Sequence, residues 1–203
     1  MADNKIRFGL ENVAIALRND ADDGYETPVK IPGAVKLSTS PEGDSEVFYA
    51  DNGPYFTFVA DAGYTGELEI ALIPDDIKSK ILGWQIDKNG AMVEMSGAVA
   101  REFALLFQVN GDKKARRNVY YSCTVTRPSE EHNTTEDKIS ATTETLNITM
   151  IPQVIGDNKV TKLSIEPSEA NKTVYDNFYK AVLEPDFTNL STQSVSTGKA
   201  VKA

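Results

Sequence analysis

Residues 103–125, FALLFQVNGDKKARRNVYYSCTV, decide the fold class of this chain. Apolar side chains occupy alternate positions along 103–109 and again along 119–125, and the stretch between them is polar and basic. A period of two predicts β-strands, because successive side chains of a strand point to opposite faces. We therefore expect a long β-hairpin with a basic tip. Both faces of its first strand are apolar, which indicates either a central strand covered on two sides or a face that contacts another subunit.

The same alternation recurs on both sides of this hairpin. Three further candidate strands, the last at 145–151, have alternating apolar members: Val13, Ile15, Leu17; Leu68, Ile70, Leu72; Leu146, Ile148, Met150. Shorter candidates lie between turn signals at 35–39, 46–50, 54–60 and 91–96. Many short strands separated by turns predict a mostly β fold, a β-sandwich or barrel.

One or two short helices are expected to flank the strands. At 74–82, a proline and two acids begin the segment and Gly83 follows it as a C-terminal cap. At 167–183, Val174, Phe178 and Val182 form one apolar stripe at helical spacing.

The length of 203 residues fits one domain with an appended tail. The polar stretch 127–141 is too long for a tight turn and predicts a long loop. Residues 187–203, rich in Ser, Thr, Lys and Ala, predict a flexible C-terminal arm. We therefore assign the β-sandwich domain to 1–186.

The chain is acidic, with 30 Asp and Glu against 21 Lys and Arg and a net charge of −9. This balance disfavours tight binding of nucleic acid, which depends on neutralising phosphates. It remains compatible with a surface that DNA slides past, because an acidic wall repels phosphates. A single cysteine and the lack of a signal-peptide pattern predict a reducing cytosol. No apolar run is long enough to predict a membrane span.

No pattern predicts catalysis. His132, the single histidine, lies in a polar stretch where a solvated ring is expected. Cys123 is expected to be a buried apolar side chain on the same strand face as Val119, Tyr121 and Val125. We therefore expect no enzyme activity.

The acidic cluster Asp20, Asp22 and Asp23 resembles part of a calcium loop. The EF-hand spacing fails, because Lys30 stands where a bidentate Glu is required. An acidic surface loop is expected instead. No glycine-rich phosphate loop is present either, so we expect no metal and no cofactor.

The basic run Lys113, Lys114, Arg116 and Arg117 is the one concentrated positive patch of the sequence. It is open to two interpretations. One is a solvated turn, and the other is a knob that contacts an acidic patch on a neighbouring copy. A head-to-tail contact of the second kind closes into a ring or continues as a tube.

Several segments carry a family resemblance: FYADNGPY (48–55), YTGELEIALIPDD (64–76), ILG (81–83), FALLF (103–107), GDKKARR (111–117), YSCTVTRP (121–128), TETL (143–146) and YDNF (175–178). In this order they resemble the major tail proteins of long, non-contractile-tailed bacteriophages of Gram-positive bacteria. The match runs from about the first strand to the second helix.

The resemblance implies a tail-tube fold, a β-sandwich with a flanking helix, that assembles as hexameric rings stacked into the tail tube. The implied partners are further copies of the chain, the tape-measure protein, and the tail terminator and tail-tip proteins. DNA would pass through the acidic lumen without specific binding, and no membrane is implied. The implied location is the virion, after assembly in the host cytoplasm.

We expect the contacts between copies to involve charged residues of exposed segments: Lys113, Lys114, Arg116, Arg117, Asp20, Asp22, Asp23, Glu130 and Glu131. The loops 19–28 and 127–141 and the C-terminal arm are candidates for contacts between rings.

Two other functions stay open. A carbohydrate- or receptor-binding β-sandwich of a virion would stack sugars on aromatic side chains such as Trp84, Tyr49 or Tyr55. A hydrolase would use paired carboxylates such as Glu67 and Glu69, but residues two apart on a strand share a face and do not oppose each other.

Overall fold

The computed structural model describes residues 8–19, 24–110, 115–128 and 142–188. These residues form mainly β-strands, with two short helices, as the sequence predicts. The elements are β1 (Leu10–Leu17), β2 (Val29–Lys30), β3 (Ala34–Glu42), β4 (Ser45–Ala50), β5 (Gly53–Val59), β6 (Gly63–Ile70), α1 (Asp75–Leu82), β7 (Gln85–Ile86), β8 (Met92–Val93), β9 (Phe103–Val109), β10 (Arg116–Val125), β11 (Glu144–Met150), β12 (Gln153–Ile155), β13 (Asn158–Val160), β14 (Lys162–Ile165) and α2 (Lys172–Asp176).

The main sheet is antiparallel, with strand order β2-β1-β9-β10-β11-β6-β3. It forks at β10. The first half of β10 pairs with β14 at Arg117–Tyr120, and the second half pairs with β11 at Cys123–Val125. Side chains of β1, β9 and β10 and side chains of β6 and β11 contribute to one core, so the fold is sandwich-like.

The main core joins these two groups of strands. It combines apolar side chains of β1, β6, β9, β10 and β11 with those of α1, and its largest fully buried members include Tyr120, Phe103, Leu68, Leu105 and Ile148. Leu146, Ile148 and Met150 all point into it, which confirms the predicted one-sided strand. Leu68 and Ile70 do so as well, whereas Leu72 lies beyond β6 and is exposed.

A second core covers the opposite face of β1, β9 and β10. Ala14, Ala104, Leu106 and Val119 pack there against Phe178 and the C-terminal segment. Both faces of β9 are thus buried within the chain. Of the two interpretations of its apolar faces, the central strand covered on two sides is confirmed.

A β-bulge at Ser122 makes one prediction wrong. The register of β10 against β9 shifts between Tyr120 and Cys123, and Ser122 has a φ of 38°. The extra residue reverses the alternation. Val119 and Tyr121 therefore belong to the second core, whereas Cys123 points into the main core.

Helix α1 forms as predicted. Pro74 precedes it, and Gly83 ends it in the left-handed region with a φ of 70°. A Cβ at Gly83 would lie 2.5 Å from the Val99 carbonyl oxygen, so glycine is required both by the backbone conformation and by the close approach.

The second helix is much shorter than the predicted 167–183. After Asp176 the chain continues in turns, with i→i+3 hydrogen bonds from Phe178 N to Tyr175 O at 3.2 Å and from Lys180 N to Asn177 O at 2.8 Å. Phe178 is buried but Val174 is exposed, and Tyr175 is buried in its place. Packing of Tyr175 and Phe178 on the sheet replaces the regular helical stripe.

Other predictions have mixed outcomes. The strand at 91–96 is reduced to β8, a two-residue strand paired with β7. The loop residues 129–141, with His132, and the arm residues 189–203 lie outside the described residues.

Candidate assembly surface

The hairpin β4–β5 forms a two-stranded sheet of its own. Its turn residues Asp51 and Asn52 have φ values of 51° and 66°, as a type I′ turn requires. Hydrogen bonds from Ala60 N to Asp44 O (2.8 Å) and from Ala62 N to Glu42 O (3.0 Å) connect it to the ends of β3 and β6. The hairpin therefore continues the β3–β6 pair beyond the body of the domain.

This hairpin exposes apolar side chains. Tyr49 and Tyr55 are 68% and 70% exposed, and Val47, Phe48 and Phe56 are exposed as well. Among the described side chains, neither core cluster contains a residue of β4 or β5. A contiguous exposed apolar patch of this kind marks an interaction surface more often than chance would give.

The negative charge of the chain is concentrated in the sequence segment that contains the hairpin. Residues 37–77 contain nine acidic residues and no Lys or Arg: Glu42, Asp44, Glu46, Asp51, Asp61, Glu67, Glu69, Asp75 and Asp76. The rest of the sequence carries 21 acidic and 21 basic residues. The whole formal net charge of −9 is therefore the charge of this one segment. Such segregation favours partners with basic surfaces.

The outer face of β3, β6 and β11 is polar. The register places Ser38, Glu67 and Asn147 side by side, and Ser40, Thr65 and Thr149 form the next row. These hydroxyl, amide and carboxylate groups line a shallow groove. The side chains of these two rows are polar, so the face suits contact with solvent.

A cavity of about 270 Å³ lies between β3 and the first half of β10. Its apolar walls are formed by Phe8, Leu10, Leu37, Phe107, Val109 and the ring of Tyr120. Two cations border it. The Lys162 Nζ lies 4.9 Å from the Tyr120 ring centroid, and Arg116 forms an ion pair with Glu166.

The predicted interface residues fall into two groups. Lys113, Lys114, Asp20, Asp22, Asp23, Glu130 and Glu131 lie outside the described residues. Arg116 and Arg117 are described, and they lie in strand β10. Both contact the C-terminal part of their own chain, Arg116 through Glu166 and Arg117 through Tyr175.

Arg117 makes several contacts with this segment. Its guanidinium donates to Gln108 Oε1 at 3.2 Å and to the Tyr175 carbonyl, and it lies over the rings of Tyr175 and Tyr179 at 3.8 and 5.2 Å. The interface role of the two arginines stays a prediction, but their charges already serve the fold of the subunit.

Buried tyrosines complete the attachment of the C-terminal segment. The hydroxyl of Tyr121 donates to the Leu183 carbonyl at 2.5 Å, and that of Tyr175 donates to the Ala115 carbonyl at 2.5 Å. Burial raises the pKa of Tyr121 above its ordinary value and that of Tyr25 to about 12. The raised pKa of Tyr121 extends to higher pH the range over which its phenol stays a hydrogen-bond donor.

The single cysteine and the acidic side chains are the candidates for chemistry. Cys123 is fully buried, and burial raises the pKa of its thiol, so it is a packed side chain as predicted. Within residues 8–19, 24–110, 115–128 and 142–188, no three His, Cys, Asp or Glu side chains converge as a metal site. No helix among the described residues is long and apolar enough to cross a membrane.

Comparison with known proteins gives structural neighbours. No protein-family model and no curated protein matches the chain. One similar structure is a chain of the cryo-EM structure of the anti-feeding prophage baseplate, with a TM-score of 0.47, 9% identity, and coverage of 82% of this chain and 98% of that one. Another belongs to the extended sheath–tube complex of an extracellular contractile injection system, with a TM-score of 0.42, 9% identity, and coverage of 80% and 94%.

Sequence reasoning missed the β4–β5 hairpin as a surface and missed the cavity. The sequence does carry a signal for the hairpin surface. Residues 37–77 combine nine acidic residues and no basic residue with Phe48, Tyr49 and Tyr55. The cavity had none, because its walls come from five separated parts of the chain.

Proposed function

We propose that this chain is a structural, non-enzymatic subunit of a bacteriophage tail tube, which self-assembles as stacked hexameric rings. The observation that carries the proposal is the β4–β5 hairpin. It extends beyond both cores and exposes Phe48, Tyr49 and Tyr55. An apolar hairpin is costly to leave in water, and a second copy of the chain would remove it from water.

The charge distribution supports a channel for DNA. Residues 37–77 hold the net charge, and the polar outer face of β3, β6 and β11 includes Glu67 and Glu69. We assign this face to the lumen of the tube. A lumen lined by carboxylates and hydroxyls repels phosphates and lets DNA pass without binding.

The sequence resemblance supplies the rest of the proposal. The tube encloses the tape-measure protein before DNA passage, and its ends contact the tail terminator and tail-tip proteins. The subunit works in the virion after assembly in the host cytoplasm.

The competing sugar-binding function has weaker support. Trp84 packs against the main core, so its ring is no exposed stacking platform. Tyr49 and Tyr55 are exposed, but they lie on a hairpin that extends outward and not in a concave site. A ligand pocket for a sugar is concave as a rule.

Negative-stain electron microscopy of the purified full chain tests the proposal. The protein is concentrated in low and in moderate salt, because salt screens the repulsion between subunits of charge −9. We expect rings of constant diameter or tubes with a central channel. Monomers at every concentration, together with binding to sugars or cell surfaces, would instead support the receptor-binding function.

A further inference from the structure

The acidic hairpin and the cation-bordered cavity have complementary properties. The hairpin offers exposed phenol rings, Tyr49 and Tyr55, next to Glu46 and Asp51. The cavity offers apolar walls, with Lys162 at its border. Within the described part of the chain, Lys162 forms no ion pair with a carboxylate, and its contact is with the Tyr120 ring.

The size of the cavity also favours a side chain as its occupant. A volume of about 270 Å³ is at the small end of ligand sites, which span roughly 300–1,000 Å³. One or two aromatic side chains would fill it. Aromatic anchors in such pockets supply much of the binding energy of protein interfaces.

We propose that the tip of the β4–β5 hairpin of one copy inserts Tyr49 or Tyr55 into the cavity between β3 and β10 of a second copy. Lys162 then faces the carboxylates of the inserted hairpin. This inference rests on the proposed self-assembly and adds the two surfaces that meet. Because the contact joins different surfaces of two copies, it is head-to-tail and propagates or closes into a ring.

Cysteine cross-linking tests the contact, since the native Cys123 is fully buried and does not compete. Chains with Tyr49→Cys are mixed with chains with Thr39→Cys, where Thr39 lies exposed on the cavity wall. A short bismaleimide is added, and mass spectrometry identifies the joined peptides. Tyr55→Cys and Phe8→Cys provide a second pair in case one variant fails to fold.

The matched control is Val99→Cys mixed with Tyr49→Cys. Val99 is 80% exposed and precedes β9, whereas the cavity lies at the other end of that strand. We expect heterodimers with Thr39→Cys in at least severalfold excess over the control. Equal yields in a preparation that forms rings or tubes would overturn the docking and leave the tube function intact. Cross-linked heterodimers without rings or tubes would support the docking and contradict the tube.

A charge variant adds a second readout. Lys162→Glu is compared with Lys159→Glu, which makes the same charge change on the neighbouring strand β13 but outside the cavity wall. We expect the first to lower the yield of heterodimers severalfold and the second to leave it unchanged. An equal loss for both would show that net charge and not this contact controls association.

Discussion

The guanidinium carbon of Arg117 lies 3.8 Å from the centroid of the Tyr175 ring, and the same guanidinium donates a hydrogen bond to the Tyr175 carbonyl. A basic residue that the sequence assigns to an exposed tip thus attaches the C-terminal segment to the sheet. The sheet face below this segment is the second core, with Ala14, Leu106 and Val119. Loss of the attachment would expose that core.

Arg117→Ala is expected to lower the free energy of unfolding by about 1–3 kcal/mol, because a stacking contact and a hydrogen bond to the segment are lost together. Urea denaturation measures the change. Arg117→Lys is not expected to restore stability, since an ammonium cannot stack and donate in the same planar geometry.

The control is Lys172→Ala, which removes an exposed pair with Asp176 on α2. Its expected cost is below about 0.5 kcal/mol. Equal effects of the two alanine variants would contradict the attachment.

Charge reversal at the basic run separates folding from assembly. Reversal of Arg116 and Arg117 to Glu should impair assembly, but it also removes contacts inside the subunit. Lys113→Glu with Lys114→Glu keeps both arginines, and we expect it to impair polymerisation while the circular dichroism of the monomer is unchanged. Normal tubes from this variant would remove the two lysines from the interface.

The hairpin tip should matter for assembly and not for folding. Tyr49→Ser with Tyr55→Ser is expected to change the free energy of unfolding by no more than about 0.5 kcal/mol, because both side chains are exposed. Rings and tubes should be lost. Val99→Ser, an equally exposed apolar position elsewhere, should keep them. Sedimentation velocity measures the assembled fraction, and tubes from the double variant at the wild-type concentration would contradict the hairpin's role.

Gly83→Ala should destabilise the domain more than Gly90→Ala. Both glycines have a positive φ, 70° and 82°, so both substitutions carry a strain of about 1 kcal/mol. Only at Gly83 does the added Cβ meet a backbone carbonyl, that of Val99, at 2.5 Å, whereas nothing lies within 4 Å at Gly90. Thermal unfolding of the two variants isolates the contact between the end of α1 and the loop before β9. Equal melting temperatures would contradict that close approach.

The buried thiol of Cys123 and the phenol of Tyr25 predict a loss of stability at high pH. Cys123 and Tyr25 keep their protons in the folded chain, because burial raises both pKa values, that of Tyr25 to about 12. The unfolded chain releases these protons near their ordinary values of 9.0 and 10.0. The free energy of unfolding is therefore expected to be unaffected by these groups below pH 9 and to fall as the pH rises above it. The slope approaches about 1.4 kcal/mol per pH unit for each group once that group is fully ionised in the unfolded chain. Cys123→Ala should move the onset towards pH 10, and an unchanged onset would contradict the burial of the thiol.

Periodicity predicts the regular parts of this fold and fails where single residues interrupt it. The alternation in β9, β11 and β6 predicts which side chains enter the core, and the Pro74–Gly83 punctuation predicts α1. The bulge at Ser122 leaves no trace in an apolar pattern, because Val119, Tyr121, Cys123 and Val125 alternate in the sequence whether or not a residue is inserted. The apolar spacing overestimates the length of the second helix, because burial of Tyr175 and Phe178 against the rest of the chain outweighs the regular helical spacing.

The candidate surfaces were predictable only in part. The acidity of 37–77 and its aromatic residues can be counted in the sequence. Which of them are exposed depends on β4 and β5 pairing only with each other, and that is a property of the tertiary fold. The cavity depends on the approach of β3, β9, β10 and β14, which no local pattern encodes.

End-on cryo-EM averages of assemblies formed by the purified full chain test the central claim most directly. The account predicts six copies around an open channel, with the β4–β5 hairpin buried between copies and the polar face of β3, β6 and β11 towards the channel. A chain that stays monomeric at every concentration and salt would contradict the account. So would assemblies in which Tyr49 and Tyr55 stay in solvent.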